Sequence, residues 1–217
     1  MKALITGASG GIGAAIARKF LSCGYEVVGL DLAPQTVQDK NYTHLVADVT
    51  GELPEIEGVN VLVTAAGIQS EEMDAIDVNL KGTIRTVEKY AFTPAIRAVV
   101  NVASASARNG AEFPIYTASK GGVVTYTKNV ALRLAPFGAT ANSLSPGGVM
   151  TASNAPVIRN DALFREALAE SLLGKWAEPD EIAEWAYFLA AVNKSMTGED
   201  LLVDNGEMLK SNFVWPK

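Results

Sequence analysis

An apolar run, Lys2-Ala3-Leu4-Ile5-Thr6, leads straight into Gly7-Ala8-Ser9-Gly10-Gly11-Ile12-Gly13, and a helical pattern follows as far as Cys23. Few features restrict a fold as much as this strand, glycine turn and helix in that order. Glycines at 7, 11 and 13 permit a tight reversal and let bare backbone approach a ligand. The helix adds free N–H groups and the positive end of its dipole, which suits a pyrophosphate. The spacing is G-x-x-x-G-x-G rather than G-x-G-x-x-G, but the physical demand is the same. A ligand-free turn of small residues is the bland alternative, and the flanking strand and helix favour a dinucleotide site. Gly7, Ser9, Gly10, Gly11, Ile12 and Gly13 are its expected residues.

Further strands are expected at 26–30, 43–47, 59–63, 98–103, 139–144 and 200–203, alternating with helical patterns. That alternation marks a parallel sheet covered on both faces, an α/β doubly wound domain. The chain of 217 residues, 48% apolar and 19% charged, supports one such domain across residues 1–217. A long helix is expected from about Phe113 to Leu134, with Val123, Tyr126, Val130 and Leu134 as one apolar stripe. Another should start near Pro179 and bury Ile182, Trp185, Ala186 and Leu189. Val157, Leu163, Phe164, Leu168, Leu172 and Leu173 should form an apolar cover in a substrate loop at about 148–176.

Composition narrows the function classes. A net charge of −6 argues against nucleic acid as partner. No apolar stretch approaches a membrane span, and the first strand begins too near Met1 for a leader, so a cytoplasmic protein is expected. The single Cys23 precludes an internal disulfide. With His44 as the only histidine, a Cys/His zinc site is implausible and no metal is expected. Cys23 should serve packing, His44 should be structural, and Arg159 and Arg165 should be solvated helix charges.

Tyr116 and Lys120, four apart on the long helix, share one face. A free phenol titrates near pH ~10, and a neighbouring ammonium favours its ionised form. By itself the pair is more often a packed surface contact. Ser104 ends a strand, where open α/β sheets bind ligands, and can donate to charge developing on a substrate oxygen. Ser106 competes for that role, and a strand-end turn serine is the bland alternative. Asp31 ends the second strand, eighteen positions past Gly13; a carboxylate there can accept from ribose hydroxyls and repel a 2′-phosphate. A solvated turn Asp is the alternative.

Together, the glycine turn, Asp31, Asn79, Ser104, Tyr116 and Lys120 resemble the short-chain dehydrogenase/reductase family along nearly the whole chain. The resemblance implies a nicotinamide-dependent oxidoreductase acting on a small alcohol or ketone. Tyr116 would be the general acid/base and Lys120 would hold the nicotinamide ribose. Ser104 would orient the substrate oxygen, and Asn79 would hold a water in a proton relay, with helix capping as its alternative. Asp48-Val49 resembles the adenine-contacting pair. Ala65-Ala66-Gly67 matches most of an Asn-Asn-Ala-Gly motif, with Thr64 and Ala65 in place of the asparagines and one amide tie therefore missing. Pro146, Gly147, Val149 and Thr151 resemble the segment that contacts the nicotinamide end. Asp31 and Gly10 favour NAD over NADP, and a homodimer or homotetramer is implied, with the apolar stripe and the tail Phe213-Val214-Trp215 near subunit contacts.

The chain is shorter than most relatives at Thr50–Gly58 and Ile68–Asp77, which should open one side of the sheet or its neighbouring interface. A dinucleotide-binding regulatory protein without turnover is the rival reading. A nucleotide-sugar epimerase or dehydratase is a third.

Overall fold

The computed structural model describes residues 1–110 and 113–209. Seven parallel strands form one sheet: β1 (Lys2–Thr6), β2 (Glu26–Asp31), β3 (Tyr42–Val46), β4 (Val59–Thr64), β5 (Ala98–Val102), β6 (Thr140–Pro146) and β7 (Asp200–Val203). Their order is β3-β2-β1-β4-β5-β6-β7. Chain direction along the sheet reverses between β1 and β4, and such a switch point opens a crevice at the carboxyl ends of the strands. All seven strands fall where alternating apolar runs place them.

Helix α1 (Gly11–Ser22) packs on one face with α7 (Pro179–Tyr187). Its buried Ile16, Ala17 and Phe20 form one core with Val27, Val61, Val100 and Ile182. Gly24, at φ +81°, stops α1 in the left-handed conformation that a helix end requires. The opposite face carries α2 (Thr83–Tyr90) and α4 (Pro114–Leu134), whose Val87, Val130 and Leu134 pack on Leu4, Leu30, Leu62 and Val99. Pro114 suits the first turn of α4, where an N–H has no helical partner. Short helices α3 (Ser106–Asn109), α5 (Ala155–Ile158) and α6 (Asp161–Ala169) lie toward the carboxyl ends of the strands.

Several expectations need correction. The α4 stripe faces its own sheet: Val123, Val130 and Leu134 are fully buried and Tyr126 is half-buried, so most of it belongs to the core. Trp185 is exposed and meets Phe188 edge-on, while Ala183 takes the buried position. The buried stripe of α7 is Ile182, Ala183 and Ala186, which leaves position 185 at its edge. Cys23 is exposed at the end of α1 rather than packed. Leu172 and Leu173 are exposed, so the cover around 157–173 is partial. Phe213-Val214-Trp215 lies outside the described residues.

The missing helix between β3 and β4 does not open the sheet. Residues 50–58 run as a strap held by α2: Arg85 Nη1 donates to the Thr50 carbonyl, Tyr90 Oη to the Pro54 carbonyl, and Lys89 pairs with Glu55. Leu53 is buried beneath this strap and joins the core that keeps Val28 and Leu30 covered. The β2–β3 connection, residues 32–41, is likewise without a helix. His44 ties that connection down, with Nε2 3.0 Å from the Ala33 carbonyl and Nδ1 3.2 Å from Tyr42 Oη.

Candidate active site

The glycine turn fits its backbone too closely for any side chain. A Cβ on Gly13 would come within 2.0 Å of the Gly7 carbonyl oxygen, and one on Gly7, at φ +67°, within 2.7 Å of the Ala65 backbone. Gly7 N–H donates to the Leu30 carbonyl at 2.8 Å, fixing the turn to β2. A Cβ on Gly11 would meet Thr151 Cγ2 at 2.7 Å, so this glycine brings the segment after β6 onto the turn. These contacts draw the ends of β1, β4 and β6 to one cleft.

One half of the cleft is lined by Gly10, Gly11, Ile12, Gly13, Ser104, Tyr116, Lys120, Pro146, Gly147, Val149 and Thr151. The adjoining half is lined by Ser9, Asp31, Asp48, Val49 and Ala66, and both halves share Gly7, Gly10, Ala65 and Gly67. The Asp31 carboxylate accepts from Ser9 N–H at 2.9 Å and Ala33 N–H at 2.8 Å, which holds it at the cleft edge. Ser9 Oγ donates to the Pro34 carbonyl, so its hydroxyl serves the loop after β2. Asp48 accepts from Thr50 N–H and Oγ at 2.8 Å each, and these bonds hold its carboxyl below the usual range. Among the described residues lining this second half there are two carboxylates and no Lys or Arg.

The first half brings Ser104, Tyr116 and Lys120 together. Tyr116 is hydrogen-bonded to Ser104; burial pushes the phenol up, and the Ser104 bond partly offsets this. Lys120 lies one helical turn further along α4. Its Nζ lies 5.9 Å from the Tyr116 ring centroid and donates to the Val102 carbonyl at 2.9 Å. Lys120 is buried, and burial lowers its ammonium to about 8. Ser106 Oγ donates to Ser104 Oγ at 2.9 Å, which places Ser104 beside the phenol and Ser106 behind it.

Asn79 is fully buried within a π-helical segment, Ile76–Gly82, continuous with α2, so it caps no helix. Its Oδ1 accepts from Ile68 N–H at 2.8 Å; its Nδ2 donates to the Ile68 carbonyl at 2.9 Å and to Ser119 Oγ at 3.0 Å. A Cβ on Gly67 would lie 3.0 Å from Asn79 Oδ1 and 3.3 Å from Lys120 Nζ. Gly67, Asn79 and Lys120 thus converge, and the amide pins α4 to the end of β4. The amide tie lost at Thr64 is replaced by a hydroxyl: Thr64 Oγ donates to Asn101 Oδ1 at 2.8 Å, and Asn101 Nδ2 donates to Thr127 Oγ at 2.9 Å.

Some cleft residues carry no sequence signal. Gln69 lines it from a loop, and Ser153 and Asn154 from a single 3₁₀ turn, segments too short for any periodicity to mark them. Arg108 in α3 donates through Nε to Asp200 Oδ2 at 2.8 Å, and Asp200 Oδ1 accepts from Ser143 and Ser145 Oγ at 2.7 Å each. This linkage anchors the turn after Ser104 to β6 and β7. Only the fold brings residues 108 and 200 together.

The family model for enoyl-(acyl carrier protein) reductase matches residues 37–207. The chain is 32% identical to a 3-oxoacyl-(acyl-carrier-protein) reductase of Rickettsia bellii over 236 residues, covering 95% of this chain and 96% of the relative. It is also 32% identical to the galactitol 2-dehydrogenase (L-tagatose-forming) of Cereibacter sphaeroides over 238 residues, covering 94% and 93%. Among solved structures, the ligand-free aldohexose dehydrogenase of Thermoplasma acidophilum matches with a TM-score of 0.87 at 26% identity, covering 100% and 97%. A putative 2-deoxy-D-gluconate 3-dehydrogenase from Agrobacterium tumefaciens, solved with bound NADP, matches with a TM-score of 0.85 at 28% identity, covering 96% of each chain. The chain belongs to the short-chain dehydrogenase/reductase family. It is an oxidoreductase of CH–OH and C=O groups in a family that binds a nicotinamide dinucleotide.

Proposed function

We propose that the protein interconverts a small-molecule alcohol and its carbonyl compound with NAD(H), using Tyr116 as general acid/base. The observation that carries this reading is the half-buried Ser104–Tyr116 hydrogen bond, with buried Lys120 near it, opening beside the glycine turn. The turn suits a dinucleotide, because a Cβ at Gly7 or Gly13 would collide with neighbouring backbone and bare amides remain at the cleft surface. Ser9, Gly10, Gly11 and Ile12 would bind the pyrophosphate, Asp48, Val49, Ala65 and Ala66 the adenosine end, and Pro146, Gly147, Val149 and Thr151 the nicotinamide end. The bound nicotinamide supplies the hydride acceptor in oxidation and the donor in reduction.

In reduction, Ser104 orients the carbonyl oxygen, and the neutral phenol of Tyr116 gives it a proton as the carbon gains hydride. In oxidation, the phenolate of Tyr116 takes the hydroxyl proton as hydride leaves the carbinol carbon. The raised phenol favours reduction near neutral pH and oxidation as pH rises. Lys120, still cationic at pH 7, holds the ribose and limits the cost of a phenolate. Asn79 positions Lys120 through Gly67 and Ser119. A relay water there would rest on backbone, since the Asn79 amide already has protein partners.

Asp31 and Asp48, with no cation among the described residues around them, support NAD over NADP. Residues 148–176 are proposed as the substrate loop of the single 1–217 domain. Assembly as a homodimer or homotetramer also remains our reading, with the exposed Trp185, Phe188 and Val192 replacing the α4 stripe as its apolar basis. The proposal is tested by following nicotinamide absorbance over an alcohol and ketone panel with both cofactors, for wild type and Tyr116→Phe. The variant should bind NADH and lose turnover by roughly 10²–10⁴-fold. Near-normal turnover would remove Tyr116 from the mechanism, and cofactor binding without any turnover by wild type would favour a regulatory protein.

A further inference from the structure

Beyond Tyr116 and Ser104 the site continues into a second cleft of about 680 Å³. Small-molecule sites commonly measure roughly 300–1,000 Å³. Its wall is built from α6, where Glu166 and Glu170, four apart, share the face that also carries Leu163 and Ala167. Glu207 also lines this cleft, its Oε2 within 2.9 Å of where a Gly147 Cβ would stand. No Lys or Arg lies among the described residues lining this cleft. Arg159 and Arg165 are exposed and lie outside the lining.

Beside the carboxylates lies an aromatic surface held in place by packing. A Cβ on Gly148 would come within 2.2 Å of Trp176 Nε1, so the indole rests directly on glycine backbone. Phe164 meets Trp176 edge-on at 5.4 Å between centroids, and Phe113 also lines the cleft. Carboxylates accept hydrogen bonds from adjacent hydroxyls, and an indole face packs against C–H groups. An anion entering here would meet like charges, with no Lys or Arg among the described lining residues to receive it.

Resting on the hydride-transfer reading above, we propose that the substrate is an uncharged polyhydroxylated alcohol, or the aldehyde or ketone derived from it. Glu166 and Glu170 select it over carboxylate- or phosphate-bearing analogues, including thioesters carried on a phosphodiester arm. Both side chains are exposed, so their substitution leaves the fold intact.

The test compares hexitols and aldohexoses with an aldonate and a phosphopantetheine-borne 3-oxoacyl thioester at pH 7 and low salt. Rates are read with NAD(H), and binding is read by saturation-transfer NMR on Tyr116→Phe with cofactor present. Wild type should favour the uncharged polyols at least tenfold in kcat/KM, and only these should bind the variant. Glu166→Lys/Glu170→Lys should narrow or reverse the preference for polyol over aldonate. Equal or better use of the aldonate or thioester by wild type, or binding of neither class, overturns the inference. Polyol binding to wild type without turnover sustains the substrate class while removing the hydride-transfer reading. Turnover that prefers the anions does the opposite.

Discussion

Lys120 sets stability against activity in a way that pH can expose. Its ammonium is buried and falls from an ordinary value of 10.5 to about 8. The lowered value means that the unfolded chain holds this proton more tightly than the folded one. Below pH 8 both states are protonated, and the folded state bears the full cost of burying the charge. Between about 8 and 10.5 the folded state alone sheds the proton, so stability rises with pH. A difference of about 2.5 units corresponds to about 3 kcal/mol. Lys120→Met keeps the length of the side chain and removes this cost. It also removes the donor to the Val102 carbonyl, which offsets about 1–2 kcal/mol. The variant should therefore be about 1–2 kcal/mol more stable than wild type at pH 7, or roughly 2–8 °C higher in Tm for a chain of this size. That advantage should shrink by about 2 kcal/mol on going to pH 9.5, while turnover is severely reduced throughout. Thermal melts of both proteins at pH 6.5, 7.5, 8.5 and 9.5 give the comparison, and groups common to both cancel. A stability difference that stays constant from pH 7 to 9.5 would refute the buried ammonium as the source of the cost.

Three further expectations concern cofactor choice, support of the site and assembly. Replacing Asp31 with Ser should relax discrimination against NADP while leaving NAD usable, as read from kcat/KM with each cofactor; a wild type that already prefers NADP would contradict the role given to Asp31. Arg108→Met leaves the largely buried Asp200 carboxylate without its cation and frees the turn after Ser104. It should lower Tm by the equivalent of about 1–3 kcal/mol and reduce kcat more than it raises KM; unchanged kcat would confine Arg108 to a structural role. Trp185→Glu/Phe188→Glu should shift light scattering at micromolar concentration from oligomer to monomer, and a wild type that is already monomeric would reject the assembly.

The glycine turn and the Tyr116–Lys120 pair were legible because each is local: residues within a few positions of one another state their own geometry. The same holds for the strands, where apolar runs between turn residues leave little choice of element. What sequence concealed was non-local. Arg108 and Asp200 meet across ninety-two positions, and the Thr64–Asn101–Thr127 chain crosses β4, β5 and α4. Trp185 misled because a helical period gives a direction without the width of the buried stripe. The loss of the β3–β4 helix was visible in chain length, yet its remedy was not. Pinning by Arg85, Lys89 and Tyr90 depends on side chains that read, in sequence, as an ordinary polar helix surface.

The strap that replaces the β3–β4 helix also bears on how the molecule comes apart. β3 is an edge strand paired only with β2, and both connections flanking it lack helices. Val46 is 70% exposed, and β3 contributes less buried apolar surface than the central strands. Sub-globular opening starts where such contacts are sparse, so the amides of β3 are the ones to exchange with solvent ahead of β1, β4 and β5. Asp31 and Asp48 flank this weak unit in sequence, both at the carboxyl ends of β2 and β3. Any ligand that bridges them binds only the closed form and adds to its stability by mass action. A fold trimmed at this edge thereby transfers part of its cohesion from polypeptide to ligand concentration.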